Sequence, residues 1–204
     1  MSKHPGVNTK KHPDPHHDLY SRTIFGFWLF LLTDFVLFGT IMACYAVIGQ
    51  NTFGGPGAME LFNHDFAIVQ TMLMLLSAGF AGLGGAAIHR KDRTKTLLFF
   101  ALTFLFSLLF MVFEWGDFSR LLKAGMTWEK SAFLSVFFTL VGTHGLHVIL
   151  GLIFLPFMLI PVYKGEIGHD EVRRLTCLRM FFQFLNIVWI FIYTIVYFIN
   201  RGHV

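Results

Sequence analysis

The run from Ala132 to Ile160 constrains this chain most: it is apolar throughout except for two histidines, His144 and His147, and three glycines, Gly142, Gly145 and Gly151. A helix rises about 1.5 Å per residue and the hydrocarbon core of a bilayer is roughly 30 Å thick, so about 20 apolar residues are enough to cross it. The histidines therefore lie at membrane depth. Ionisable side chains there are costly and face neighbouring helices or a polar cavity, so each asks for a partner or a role.

Four further runs have the same character: Ile24 to Ile48, Phe66 to Ile88, Thr96 to about Phe113, and Met180 to Ile199. With 55% hydrophobic and only 14% charged residues, the chain is far too apolar for a soluble domain. The expected fold is all-α, a polytopic integral membrane bundle of five transmembrane helices spanning residues 24–200. Residues 1–23, with Lys3, Lys10, Lys11 and several histidines and prolines but no apolar stretch, are expected to be a disordered polar tail and not a signal peptide.

The net charge of +4 does not point to nucleic acid, because the basic residues fall in short segments between apolar runs. There they set orientation. Twelve of the Lys and Arg residues fall on the side of the N-terminus and four on the other. The N-terminus is expected to be cytoplasmic and the C-terminus periplasmic. Cys44 and Cys177 then lie most of a bilayer apart, too far for a disulfide.

In the second span, Ser77, Ala81 and Gly85 form one i, i+4 row of small residues, and Ala78, Gly82 and Ala86 form another. Small residues let helix backbones approach closely in lipid, so this helix is expected to pack tightly against another. No repeat of 20–50 residues, phosphate loop, nucleophile elbow or dinucleotide fingerprint occurs, so neither an inverted-repeat carrier nor hydrolytic or transfer chemistry has support.

The polar residues that need explaining are Asp34 in the first span, Glu114 near the outer end expected for the third, His144 and His147 in the fourth, and Gln183 and Asn186 in the fifth. Glu114 reads equally well as an interfacial carboxylate reaching water. His144 and His147, three apart, can present both rings to one neighbouring helix. Haem ligation between helices lacks a facing histidine inside another span, and a metal site lacks supporting ligands. A hydrogen-bonded seam joining Asp34, Glu114 and the histidine pair satisfies these groups, as a structural feature or as part of a proton path.

The line Phe137-Phe138-x-Leu140-x-Gly142-Thr143-His144-Gly145-Leu146-His147-Val148 resembles subunit III of the haem-copper terminal oxidases. Phe25-Gly26-Phe27-Trp28 followed by Thr33-Asp34, then Phe113-Glu114-Trp115, then Asn186-Ile187-Val188-Trp189 with Tyr193 and Tyr197, resemble other helices of that family in the same order. The five-helix length is similar to subunit III of the cytochrome bo-type ubiquinol oxidases. Short subunits of aa-type quinol oxidases and cytochrome c oxidases share it.

The resemblance implies a non-catalytic accessory subunit without haem, copper or other cofactor of its own, in a bacterial inner membrane. It would pack on a catalytic subunit I that carries the haems and copper, beside subunit II and a small subunit IV. It would bind phospholipid and support assembly and turnover stability, while ubiquinol acts on the complex rather than on this chain. The family's last helix usually has His and Asp where this chain has Gln183 and Asn186, which argues against an obligatory proton relay through those two positions. A free-standing carrier and a b-type haem protein are the alternatives from other classes.

Overall fold

The computed structural model describes residues 15–49, 64–165 and 167–198. The expected turn at Gly54–Gly57 and residues 1–14 of the expected tail lie outside them. Five long helices follow one another: α1 (Pro15–Ile48), α2 (His64–His89), α3 (Arg93–Lys123), α4 (Ala132–Lys164) and α5 (His169–Ile192). Among the described residues there is no strand. Each helix is long and apolar enough to cross a membrane. A wider π-helical turn, Tyr193–Phe198, continues α5.

Helices α2, α3, α4 and α5 form a four-helix bundle in which each packs on two neighbours, and α1 lies in the outer groove between α4 and α5. The central helix is α5, more than half of whose apolar stretch is buried, whereas α1 buries about a tenth of its own. Trp189 of α5 is fully buried at the heart of the larger core cluster. Its indole edge meets the Phe110 ring of α3 at 4.8 Å, and its Nε1 donates to Thr71 Oγ1 of α2 at 3.1 Å. Such a ring pair adds to the gain from area burial, and the indole N–H needs a partner when buried.

Several boundaries differ from those read off hydropathy, for a common reason. Helix α3 does not end near Phe113 but continues to Lys123, so the expected loop carrying Asp117, Arg120 and Lys123 is helical. Asp117 and Arg120 pair at 3.5 Å one turn apart, and Leu121 is buried, which keeps the last turns of α3 on the bundle. The helix stops at Gly125, whose φ of +72° is open to glycine at little cost. The Met126 amide then bonds Leu121 O and the Gly125 amide bonds Leu122 O, closing the terminal carbonyls.

Likewise the charged segment expected as a loop from Lys164 to Arg179 is mostly the start of α5. Glu171 accepts from the Gly168 amide at 3.0 Å and Arg173 pairs with Asp170, while Leu175, Leu178 and Phe182 bury one face. Helix α1 begins at Pro15, so residues 15–23 of the expected tail are helical. Hydropathy registers where a helix leaves lipid, not where its hydrogen bonds stop, and α3 at about 1.5 Å per residue runs well past a roughly 30 Å core.

The most extensive pairing is between α2 and α3. Ser77 Oγ shares a hydrogen bond with Ser107 Oγ at 2.6 Å, and Ala81 is fully buried one turn further on. The tightest glycine contact between these two helices is at Gly84, outside both small-residue rows: a Cβ there would lie 2.9 Å from the buried Phe100 ring. Gly85 instead faces the Arg179 side chain of α5. Gly79, by contrast, has open space where a Cβ would stand. Gly84→Ala should therefore cost about 1–3 kcal/mol through overpacking against Phe100, whereas Gly79→Ala should be neutral or gain up to about 1 kcal/mol. Thermal unfolding of the two detergent-purified variants checks the contrast.

Candidate functional site

The polar groups of the bundle arise at positions where an otherwise apolar helix face turns inward. His144 and His147 lie less than one turn apart on α4 and point to different neighbours. His144 is fully buried, and its Nε2 lies 3.2 Å from the Leu185 carbonyl of α5. Its ring is enclosed by Phe38 of α1, Phe110 of α3 and Trp189 of α5, with centroids 6.4, 5.7 and 5.2 Å away. His144 thus joins four of the five helices.

His147 turns toward α1. Its Nδ1 donates to the Thr143 carbonyl at 2.7 Å, and its Nε2 faces Asp34 Oδ2 at 3.8 Å, beyond hydrogen-bond distance. Both side chains are 14% exposed. They stand at one end of an apolar cleft of about 400 Å³ between α1, α4 and α5, walled by Phe27, Phe30, Phe154, Met158 and Phe181. Phe38 lies against both histidines, 5.2 Å from the His147 ring, on the side of the Asp34–His147 pair that faces His144.

Glu114 is on the other side of α4. The interfacial reading fails because α3 continues for more than two turns beyond it and the side chain is only 2% exposed. Gly145 makes room for it: a Cβ at that position would lie 3.2 Å from Glu114 Oε1 and 3.3 Å from the Met111 methyl. Both carboxyl oxygens are buried without a hydrogen-bond partner among the described residues. Gln70 of α2, 1% exposed, comes to the same place and donates its Nε2 to Asp117 Oδ2 at 3.2 Å.

Gln183 and Asn186 belong to neither group. Both are half-buried; Gln183 turns toward α2, its Nε2 3.5 Å from where a Gly82 Cβ would stand, and Asn186 Oδ1 is buried without a hydrogen-bond partner among the described residues. The expected single seam is therefore divided. One compartment holds Asp34 and His147, a second holds Glu114, Gln70 and Asp117, and His144 with the Phe38, Phe110 and Trp189 rings stands at their border. Of the glycines expected at helix contacts, Gly145 lies against Glu114, a Cβ at Gly151 would lie 3.2 Å from the Phe181 and Phe182 rings, and Gly142 faces open space.

Gln70 and Asp117 were not legible as site residues. Gln70 carries no charge and shows only as a single amide in the run Phe66 to Ile88. Asp117 reads as a loop residue once α3 is ended too early. The cysteines Cys44 and Cys177 are free. Among the described residues no group of three His, Cys, Asp or Glu side chains is placed to hold a metal ion.

Fold and site together define an all-helical membrane protein whose buried polar side chains serve contacts between helices. The family model for cytochrome c oxidase subunit III matches residues 15–201, and the chain belongs to that family. The cytochrome bo(3) ubiquinol oxidase subunit 3 of Pseudomonas aeruginosa is 38% identical over 184 residues, covering 90% of this chain and 88% of that protein. The protein of the same name from Pseudomonas putida is 40% identical over 181 residues, 89% and 87% of the two chains. The cytochrome c oxidase subunit 3 of Bacillus sp. strain PS3 is 35% identical over 172 residues, 84% and 83%.

The Asp34–His147 contact makes a direct prediction. Removing His147 alone leaves Asp34 facing an apolar wall, and removing Asp34 alone leaves the imidazole without its partner, so each change carries a desolvation penalty that their joint removal relieves. In a double-mutant cycle with Asp34→Asn and His147→Ala, the double variant should be more stable than the sum of the single effects by about 0.5–3 kcal/mol. Thermal unfolding of the four proteins measures it, and strict additivity would deny the contact.

Proposed function

We propose that this chain is the accessory subunit III of a proton-pumping haem-copper ubiquinol oxidase of the bo type. The carrying observation is similarity along about nine-tenths of the chain to proteins named as ubiquinol oxidase subunit 3. The chain sits in a bacterial inner membrane with its N-terminus in the cytoplasm and its C-terminus in the periplasm, an orientation that the excess of Lys and Arg on one side supports. It packs beside subunits I, II and IV, and the haems and copper belong to subunit I.

Its own contribution is mechanical. The apolar cleft between α1, α4 and α5 suits a phospholipid acyl chain, being about 400 Å³ and lined almost wholly by aromatic and aliphatic side chains. Asp34, Glu114, His144 and His147 hold helices together, and supporting this reading Gln183 and Asn186 bring hydrogen-bonding capacity without a titrating charge. Small-residue contacts at Ser77, Ala81 and Gly85, and at Gly145 and Gly151, let the helices come close enough for those polar groups to meet. Electron transfer runs through the partner subunits, and this chain maintains them through repeated turnover.

The electron donor has a second reading, because the Bacillus sp. strain PS3 relative is named as a cytochrome c oxidase subunit at a comparable identity. The assembly purified through a tag on this chain should contain a large multi-span polypeptide in near-equal amount, show a haem spectrum, and oxidise ubiquinol rather than ferrocytochrome c. Recovery of this chain alone, in a detergent that keeps such complexes intact, would overturn the accessory role. Within the assembly, His147→Ala should leave the initial oxidase rate close to that of the unaltered protein and shorten the time over which activity persists. An immediate loss of rate with unchanged durability and subunit content would contradict the mechanical role.

A further inference from the structure

Between α2, α3, α4 and α5 there is a small space of about 10 Å³ bordered by Gln70, Glu114, Asp117, Phe137, Val141 and Trp189. That is roughly the room one water molecule needs. What sets the space apart from an ordinary packing void is the chemistry of its wall. Glu114 Oε1 and Oε2 and Gln70 Oε1 are buried without hydrogen-bond partners among the described residues, and the two side chains that carry them are 2% and 1% exposed.

Most of the nearby donor capacity is committed, the second N–H of Gln70 Nε2 excepted. Gln70 Nε2 donates to Asp117 Oδ2, and Trp189 Nε1 donates to Thr71 Oγ1. The remaining polar atoms around the space are carboxyl and amide oxygens, which call for a small donor from outside the chain. A water molecule offers two O–H groups and fits. A buried polar group left unsatisfied in a membrane interior has no solvent to turn to, so the site's worth is greater than in a soluble protein. The space also lies one side chain from the surface: Asp117 lines a second, open cleft of about 250 Å³ with Phe66, Val112, Gly116 and Arg120.

We infer that this space is a structural water site, in which one internal water bridges Glu114 of α3 to Gln70 of α2 and so ties together two helices that the small-residue contacts bring close. The site goes beyond the accessory role proposed above and does not depend on it, since it rests only on the packing within this chain.

The test uses the sign of a stability change. Val141 is 2% exposed and lines the space, so Val141→Ile puts one more methyl beside it. Filling a dry void stabilises, whereas expelling a bridging water strands the oxygens it served. In the tagged chain, purified with whatever it co-extracts with, Val141→Ile should lower the unfolding temperature. The same change made in a Glu114→Met, Gln70→Met background, where all three oxygens that call for a donor are gone, should raise it. A neutral or positive shift from Val141→Ile in the unaltered chain would overturn the inference. So would an equal lowering in both backgrounds, which would be overpacking. Co-purification of partner subunits is read separately on the same samples, so a failed accessory role and a failed water site give different results.

Discussion

The hydrogen bond from the His144 imidazole to the Leu185 carbonyl is the contact on which the interior of this bundle depends. It lies where no solvent can replace it, and it fixes α4 against α5 at a point where α1 and α3 also meet through Phe38 and Phe110. Trp189 on the same stretch of α5 extends the junction to α2 through Thr71. In a membrane the apolar faces gain little by leaving lipid, so van der Waals fit and polar contacts of this kind carry helix association. A histidine suits the junction because its ring packs as an aromatic while a nitrogen satisfies the neighbouring backbone.

From that junction the other polar groups sort by which side of α4 they occupy. Asp34 and His147 face the cleft beside α1, and Glu114 with Gln70 faces the space among the other helices. The glycine at position 145 is what lets a carboxyl as large as Glu114 stand between α3 and α4 without separating them. The glycine at 84 performs the corresponding service for Phe100 between α2 and α3. The bundle is thus built from close approaches that admit polar side chains, and from polar side chains that make those approaches worth holding.

Much of this was legible in the residues. The five apolar runs gave the number and order of helices, and His144, His147, Asp34 and Glu114 stood out because charges are rare at such depth. The partition among them was not legible, because a spacing of three on one helix says that two rings share a broad face and not which neighbour each will meet. Helix ends were misjudged wherever hydropathy falls before the backbone hydrogen bonds do, at Phe113 and at Arg179, and the first of these errors hid the setting of Glu114. Gln70 shows the same limit from another side: an uncharged amide in an apolar run gives little warning, yet once buried its oxygen also needs a partner. Gly84, the glycine closest to α3, lies off both small-residue rows because the rows describe one helix and the Phe100 ring that it accommodates belongs to another, whereas Gly85, in the first row, lies close against Arg179 of α5.

The two polar compartments are separate, with His144 and the rings around it as the barrier. An electron-density or cryo-microscopy map of the assembled protein, fine enough to show ordered water, tests this most directly. Ordered water, where present, should stop on either side of His144 and Phe38. A continuous file of water running from Glu114 past His144 to Asp34 would contradict it, and would make the interior a path instead of a set of ties between helices.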